Sequence, residues 1–293
     1  MVGGRRRGGQ ADGGAGGKSL RYEAMATGVT YAACAEYVAE ATKVSLWLAD
    51  WLERRDGLGF DETMSCRTDV YRLTVLWDGE HHPAKPIADW RDARWDALLA
   101  ELGSMRVKHG DDVAAFEAEG LALLWPILEP RIEARVRTSS KAADRPFGFF
   151  SYDLSDQPDA ETITIHMDNP FAPDSPFRDM AARGRELRAV LDDAEATHPT
   201  MRKLWTGTWM NSYSRFLELF PAAWRDSASD PTPLDCWANW WGQMTSRTGG
   251  FHWKNGQYLR DTGRFPYACV KCSCGIAELR GHLRGVLSEG GTH

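Results

Sequence analysis

Apolar positions recur at helical spacing from Ala32 to Arg55. Val38, Ala41, Val44, Leu48, Trp51 and Leu52 share one face, and Gly57 follows as a stop. Val70–Trp77 alternates apolar with polar over part of its length and ends at Asp78-Gly79, which predicts a strand. Asp89–Leu102 predicts a helix with Asp89 as N-cap and Gly103 as stop. Asp111–Val136 predicts a longer one, broken or kinked near Trp125 by Pro126 and Pro130. The polar segment 137–146 reads as a linker.

The pattern then changes. Phe147–Leu154 and Glu161–Met167 predict strands around a polar turn, and the proline-rich loop Asn169–Pro176 separates them from an amphipathic helix, Phe177–Ala196. Arg202–Met210 predicts another strand, on which Trp205 and Trp209 share a side by two-residue alternation. Tyr213–Phe220 gives a helical turn or two before Pro221. Residues 230–265 show few regular signals, and Ile276–Leu287 predicts a closing helix. The expected fold class is therefore α/β (α+β), with a flexible leader at 1–24, a mainly helical region at 25–140 and a mixed sheet with flanking helices at 141–293. The Gly/Arg-rich leader precedes Met25, where translation could begin.

Composition adds bounds. The chain has 293 residues, 43% hydrophobic and 26% charged, which excludes a disordered chain, a fibre and a disulfide-stapled scaffold. No apolar run is long enough for a membrane span and no secretory h-region follows the arginines at 5–7, so a cytoplasmic protein with free thiols is expected. The net charge of −6 argues against general nucleic-acid binding, although the stretch from Cys236 onward carries seven basic residues against three acids. The 13 Trp are the unusual count, five of them at or before Trp95 and four between Trp237 and Trp253.

Thr162–Asp168, then Arg183-Gly184-Arg185-Glu186-Leu187 in a helix, then Leu204–Ser212 form a strand, helix and strand that resemble the core of the GNAT acyltransferase superfamily and its relatives, over residues 147–221. The resemblance implies acyl transfer, with acyl-CoA as the cofactor and the backbone amides at Arg183, Gly184 and Arg185 facing its pyrophosphate, as a helix N-terminus faces an anion. Two departures stand in this chain. Glu186 occupies a position where the family turn has a further Gly, and the Arg/Gly triplet falls inside the predicted helix.

His166, Asp168, Trp209 and Asn211 lie near two strand ends, a favoured place for ligands in open α/β sheets, and equally suit a hydrogen-bonded core histidine and a turn. The stretch 237–267 combines Trp241, Arg247, His252, Trp253 and Arg260 with further rings. It reads either as a ligand lining or as a segment wrapped over the core. His166 or His252 is the candidate general base, Asn211 the polar positioner, and Arg247 or Arg260 the anion clamp. Cys269, Cys272, Cys274 and His282 have part of a zinc-like spacing, but an incomplete one; three buried thiols are the favoured reading and no metal is assigned. Hydrolase, NTPase, zincin and dinucleotide fingerprints are absent. A small-molecule enzyme, such as a natural-product tailoring enzyme acting on an anionic or aromatic substrate, is the leading expectation. A metal- or haem-dependent enzyme and a non-catalytic aromatic and basic binding module are the alternatives.

Overall fold

Thr30 opens the first helix, α1 (Tyr31–Asp56), by accepting a hydrogen bond from the Ala33 amide, and left-handed Gly57 closes it. The computed structural model describes residues 29–84, 92–140, 146–155, 158–229 and 238–289. The leader, Met25, Asp89, Cys236, Trp237 and the middle of the 137–146 linker lie outside those residues. The α1 stripe read from the sequence is buried: Val38, Ala41, Val44, Leu48 and Leu52 are at most 2% exposed.

Two short helices follow, α2 (Phe60–Cys66) and α3 (Val70–Leu73). The strand expected at 70–77 is thus a helical turn and an irregular tail. Val70, Tyr71, Leu73 and Leu76 are all buried. Burial at 70 and 71 together breaks the alternation that a half-buried strand needs. Thr74 caps the turn through its hydroxyl on Tyr71 O, and Val75 N donates to Ile127 O of a neighbouring helix rather than to a strand.

Helix α4 (Ala93–His109) starts at the Asp92 cap and runs through Gly103 to Gly110, past the stop expected at Gly103. A mid-helix Gly costs only about 1 kcal/mol, which tertiary packing offsets. Helix α5 (Val113–Ser140) likewise continues through Pro126 and Pro130 as one span. Leu124, Leu128 and Ile132 are fully buried in the core that α5 shares with α1, and that burial outweighs two missing amide donors.

The second layer is a four-stranded mixed sheet in the order β1-β2-β3-β4, so the α/β class holds, with a helical first half. Strand β1 (Phe150–Asp153) pairs antiparallel with β2 (Thr162–Met167), with Ser151 opposite His166. Helix α6 (Met180–Thr197) crosses over so that β3 (Lys203–Thr208) runs parallel to β2, and β4 (Val270–Gly275) returns antiparallel. One face carries Phe150, Ile163, Ile165, Leu204, Cys272 and Cys274, in one core with Leu187, Val190 and Leu191 of α6 and Leu279 and Leu283 of α11 (Ile276–Glu289). Gly184 of α6 faces α11, where a Cβ would stand in ordinary contact with Leu287 and Val286 at 3.5 Å.

Between β3 and β4 the chain forms α7 (Ser214–Leu217), α8 (Ala222–Asp226), α9 (Ala238–Trp241) and α10 (Trp253–Thr262). The core does not follow chain order here. Trp240, Trp241, Met244, Phe251, Leu259, Phe265 and Cys269 join the helical core built by α1 to α5, not the core under the sheet. Trp241 Nε1 fixes this return by donating to Arg67 O at 2.9 Å.

Candidate functional site

The structure uses most of the expected site residues to hold the fold. His166 lies on the open face of β2 and meets Asp153 of β1 across the strands, Nε2 to Oδ2 at 3.0 Å, with both side chains about half exposed. Asp168 is exposed beyond the strand end, and its amide bonds Phe149 O. Trp209 starts a 3-10 turn instead of extending β3, so the alternation expected from Trp205 stops at Thr208. Its ring lies 5.7 Å from that of Tyr267, whereas Trp205 donates to Thr164 Oγ1 on the open face.

Asn211 turns inward and makes three hydrogen bonds. Its Nδ2 donates to Thr206 O and Val270 O, and its Oδ1 accepts from Trp224 Nε1. It ties β3, β4 and α8 together, with both of its amide hydrogens and one oxygen lone pair already used inside the fold. Asn211→Ala strands two carbonyls and an indole N–H in the core, which costs about 3 kcal/mol. Urea denaturation should show a clearly lower midpoint; a change under 1 kcal/mol would contradict this role.

Arg183, Gly184 and Arg185 sit in the second turn of α6, after the Asp179 cap, and not in a turn that opens a helix. The Arg183 amide is bonded to Asp179 O. Its guanidinium forks onto Glu186, Nε to Oε2 at 2.7 Å, and stacks on Phe171 at 4.0 Å. Glu186 also accepts from the Phe149 amide, so the carboxylate that departs from the family pattern anchors β1 to α6. These backbone amides are spent within the helix and do not form an anion cradle.

The aromatic segment is likewise structural over most of its length. Trp241 is buried and edge-on to Phe265. Arg260 is held bidentately by Glu117 at 2.7 and 2.8 Å, with its guanidinium 5.6 Å from the Trp47 ring, so its charge is already matched. His252 is the N-cap of α10, its Nδ1 accepting from the Asn255 amide. Trp253 is 57% exposed but tethered by Nε1 to Glu36. Arg247 is exposed at a tight turn closed by Ser246 N to Gly250 O.

The cysteines divide between the two cores. Cys269 lies in the helical core, and Cys272 and Cys274 point inward from β4. Burial pushes their thiols up to about 11 and about 12. His282 Nε2 is engaged by Glu218 O. Among the described residues no three His, Cys, Asp or Glu side chains gather as a metal site.

A different constellation does converge, where α1, α3, α5 and the 245 loop meet. Asp69 precedes α3, with 18% of its side chain accessible and Oδ1 buried without a hydrogen bond among the described residues. Burial pushes its carboxyl up to about 6, against the pull of Arg72 and Arg135. Arg72 Nε lies 4.0 Å from Asp69 Oδ1. Arg135 lies 4.2 Å over the Tyr37 ring and reaches Thr245 Oγ1 at 3.5 Å. The Tyr37 hydroxyl is hydrogen-bonded to Thr245 and Arg135, and burial raises its pKa. The Cys34 thiol, also raised by burial, lies beside Arg135. At the outer rim Arg72 and Arg131 both stack on Trp77, at 5.1 and 5.4 Å.

This cluster combines a carboxyl that titrates near neutrality with several guanidinium groups in a mostly enclosed setting, a combination typical of ligand and proton-transfer sites. Sequence reasoning missed it because Asp69 and Arg135 are 66 positions apart. One local sign existed: Arg131 and Arg135 stand four apart on α5, hence on one helix face. No protein-family model, no curated protein and no solved structure matches the chain.

Proposed function

We propose that this chain is a small-molecule enzyme acting on an anionic or aromatic substrate, and that the Asp69 cluster is its site. The carrying observation is the enclosed Asp69 carboxyl, raised to about 6 beside Arg72 and Arg135. Such a carboxyl exists in both protonation states near pH 6 and suits general acid or base work, while guanidinium forks suit an anionic group. Acyl transfer is the first reaction class to test, from the resemblance over residues 147–221. A CoA ester would need phosphate contacts other than the amides at 183–185, which α6 already uses.

The test is a thermal-shift and turnover screen of the full chain with small carboxylates and phosphates, with and without acetyl-CoA. A ligand that raises Tm and is converted, with turnover falling roughly 10²–10⁴-fold in Asp69→Asn, is the expected result. Ligands that bind a folded wild type but are never converted would favour a binding module instead. Titration calorimetry without acetyl-CoA binding would remove the acyl-transfer version.

A further inference from the structure

The Asp69 cluster makes two separate demands on a ligand. Asp69 Oδ1 is a buried acceptor with no hydrogen bond among the described residues, so it calls for a donor. Arg131, one helical turn from Arg135, stacks on Trp77 and makes no hydrogen bond or ion pair among the described residues, so it offers a cation at the rim. The neighbouring carboxylates of α5 do not meet this need: Glu133 pairs with Arg137, and Glu129 and Glu133 both face Tyr31. Arg72 links the two demands, since its guanidinium shares the Trp77 ring with Arg131 while its Nε lies 4.0 Å from Asp69 Oδ1. Arg72 thus spans from the Trp77 ring, which it shares with Arg131, to the Asp69 carboxyl.

We infer that the cluster takes a small carboxylic acid carrying a hydrogen-bond donor on the neighbouring carbon, that is, a 2-hydroxy or 2-amino acid. The carboxylate meets Arg131 and Arg72 at the rim, and the hydroxyl or ammonium group donates inward to Asp69 Oδ1. A phosphate of similar size matches the rim, but its P–OH donors sit on the same atom as the charge and not on a neighbouring carbon. An unsubstituted acid leaves the buried oxygen unmet, and such omissions are heavily discriminated where a site is built around a polar group. This inference rests on the reading of the cluster as the substrate site.

The test uses the full chain and calorimetric or NMR titration with phenyllactate, phenylalanine and phenylpropanoate, which share one skeleton and differ at the 2-position, and with inorganic phosphate. The expected result is binding of one or both 2-substituted acids at least tenfold tighter than phenylpropanoate or phosphate. Asp69→Ala should erase that preference and leave phenylpropanoate binding in place. Asp69→Asn, which keeps an acceptor oxygen, should retain part of it and serves if the alanine variant does not fold. Arg131→Gln, at a partly exposed position, should weaken all the acids alike. Equal affinity for phenylpropanoate and its 2-substituted forms would overturn the ligand class while leaving an anion site intact. Binding of none of these acids by folded wild type, or binding indifferent to both Asp69 and Arg131, would overturn the cluster as the substrate site as well.

Discussion

Gly263→Ala should lower the unfolding free energy by about 3–4 kcal/mol, the largest effect expected from an added methyl at any of the described glycines. Gly263 ends α10 at φ 65°, ψ 19°, a conformation that L side chains adopt with strain. A Cβ there would stand 1.8 Å from the Trp51 ring, with two further ring atoms at 2.2 and 2.5 Å. That ring has little freedom to withdraw. Trp51 stacks on Trp47 at 5.7 Å and 23°, and the Arg55 guanidinium covers it at 3.8 Å. Trp47 in turn carries Arg260, which Glu117 fixes. A double-mutant cycle with Trp51→Ala separates the two costs. With the ring removed, Gly263→Ala should cost only the backbone strain, about 1 kcal/mol. A cost that small in the presence of Trp51 would show that the ring is free to move and does not hold Gly263 in place.

The second large effect is a pH-dependent one. Asp69 titrates at about 6 in the folded chain because burial disfavours its charge, against 3.8 for an ordinary carboxyl. Between those values the native state holds a proton that the unfolded state has released, so stability falls as pH rises through the window. The cost is absent below about pH 4 and complete above about pH 7, where roughly two pK units amount to about 3 kcal/mol. Asp69→Asn cannot titrate. Relative to wild type it should therefore gain about 2.5 kcal/mol between pH 4 and pH 7.5, whatever its offset at either end. Urea denaturation of both proteins at several pH values measures this difference, in which all other titrations cancel. Parallel stability curves would show that the carboxyl ionises normally and would remove the basis for its proposed role in proton transfer.

Much of the fold was legible because it is local. The α1 stripe, the Gly57 stop, the β1–β2 hairpin and the α6 and α11 faces all follow from periodicity and capping. Strand β4 was not read from the sequence, although Val270, Cys272 and Cys274 alternate with Lys271 and Ser273. The cysteine spacing drew attention toward metal chemistry, yet two of these thiols only fill the sheet core and the third fills the other. Helix α10 was hidden because its ten residues are mostly polar and only Gly256 and Leu259 are buried. The turn at 70–73 was misread for the opposite reason. Its apolar residues imitate a strand, but among the described residues no strand lies beside it to complete a ladder.

The candidate site shows the same division. The expected residues were chosen for chemical type, and type alone does not reveal partners. Asn211 and Arg260 look equally available in the sequence, and the fold engages both, one with three hydrogen bonds and the other with Glu117, 143 positions away. By itself the sequence determined which stretches bury an apolar face and where helices are capped, because those are properties of neighbours along the chain. Only the tertiary structure decided that residues 240–269 return to the helical core, and that Asp69, Arg72, Arg131 and Arg135 gather in one place. Charge pairing and desolvation depend on distances through space, and a one-dimensional pattern does not carry them.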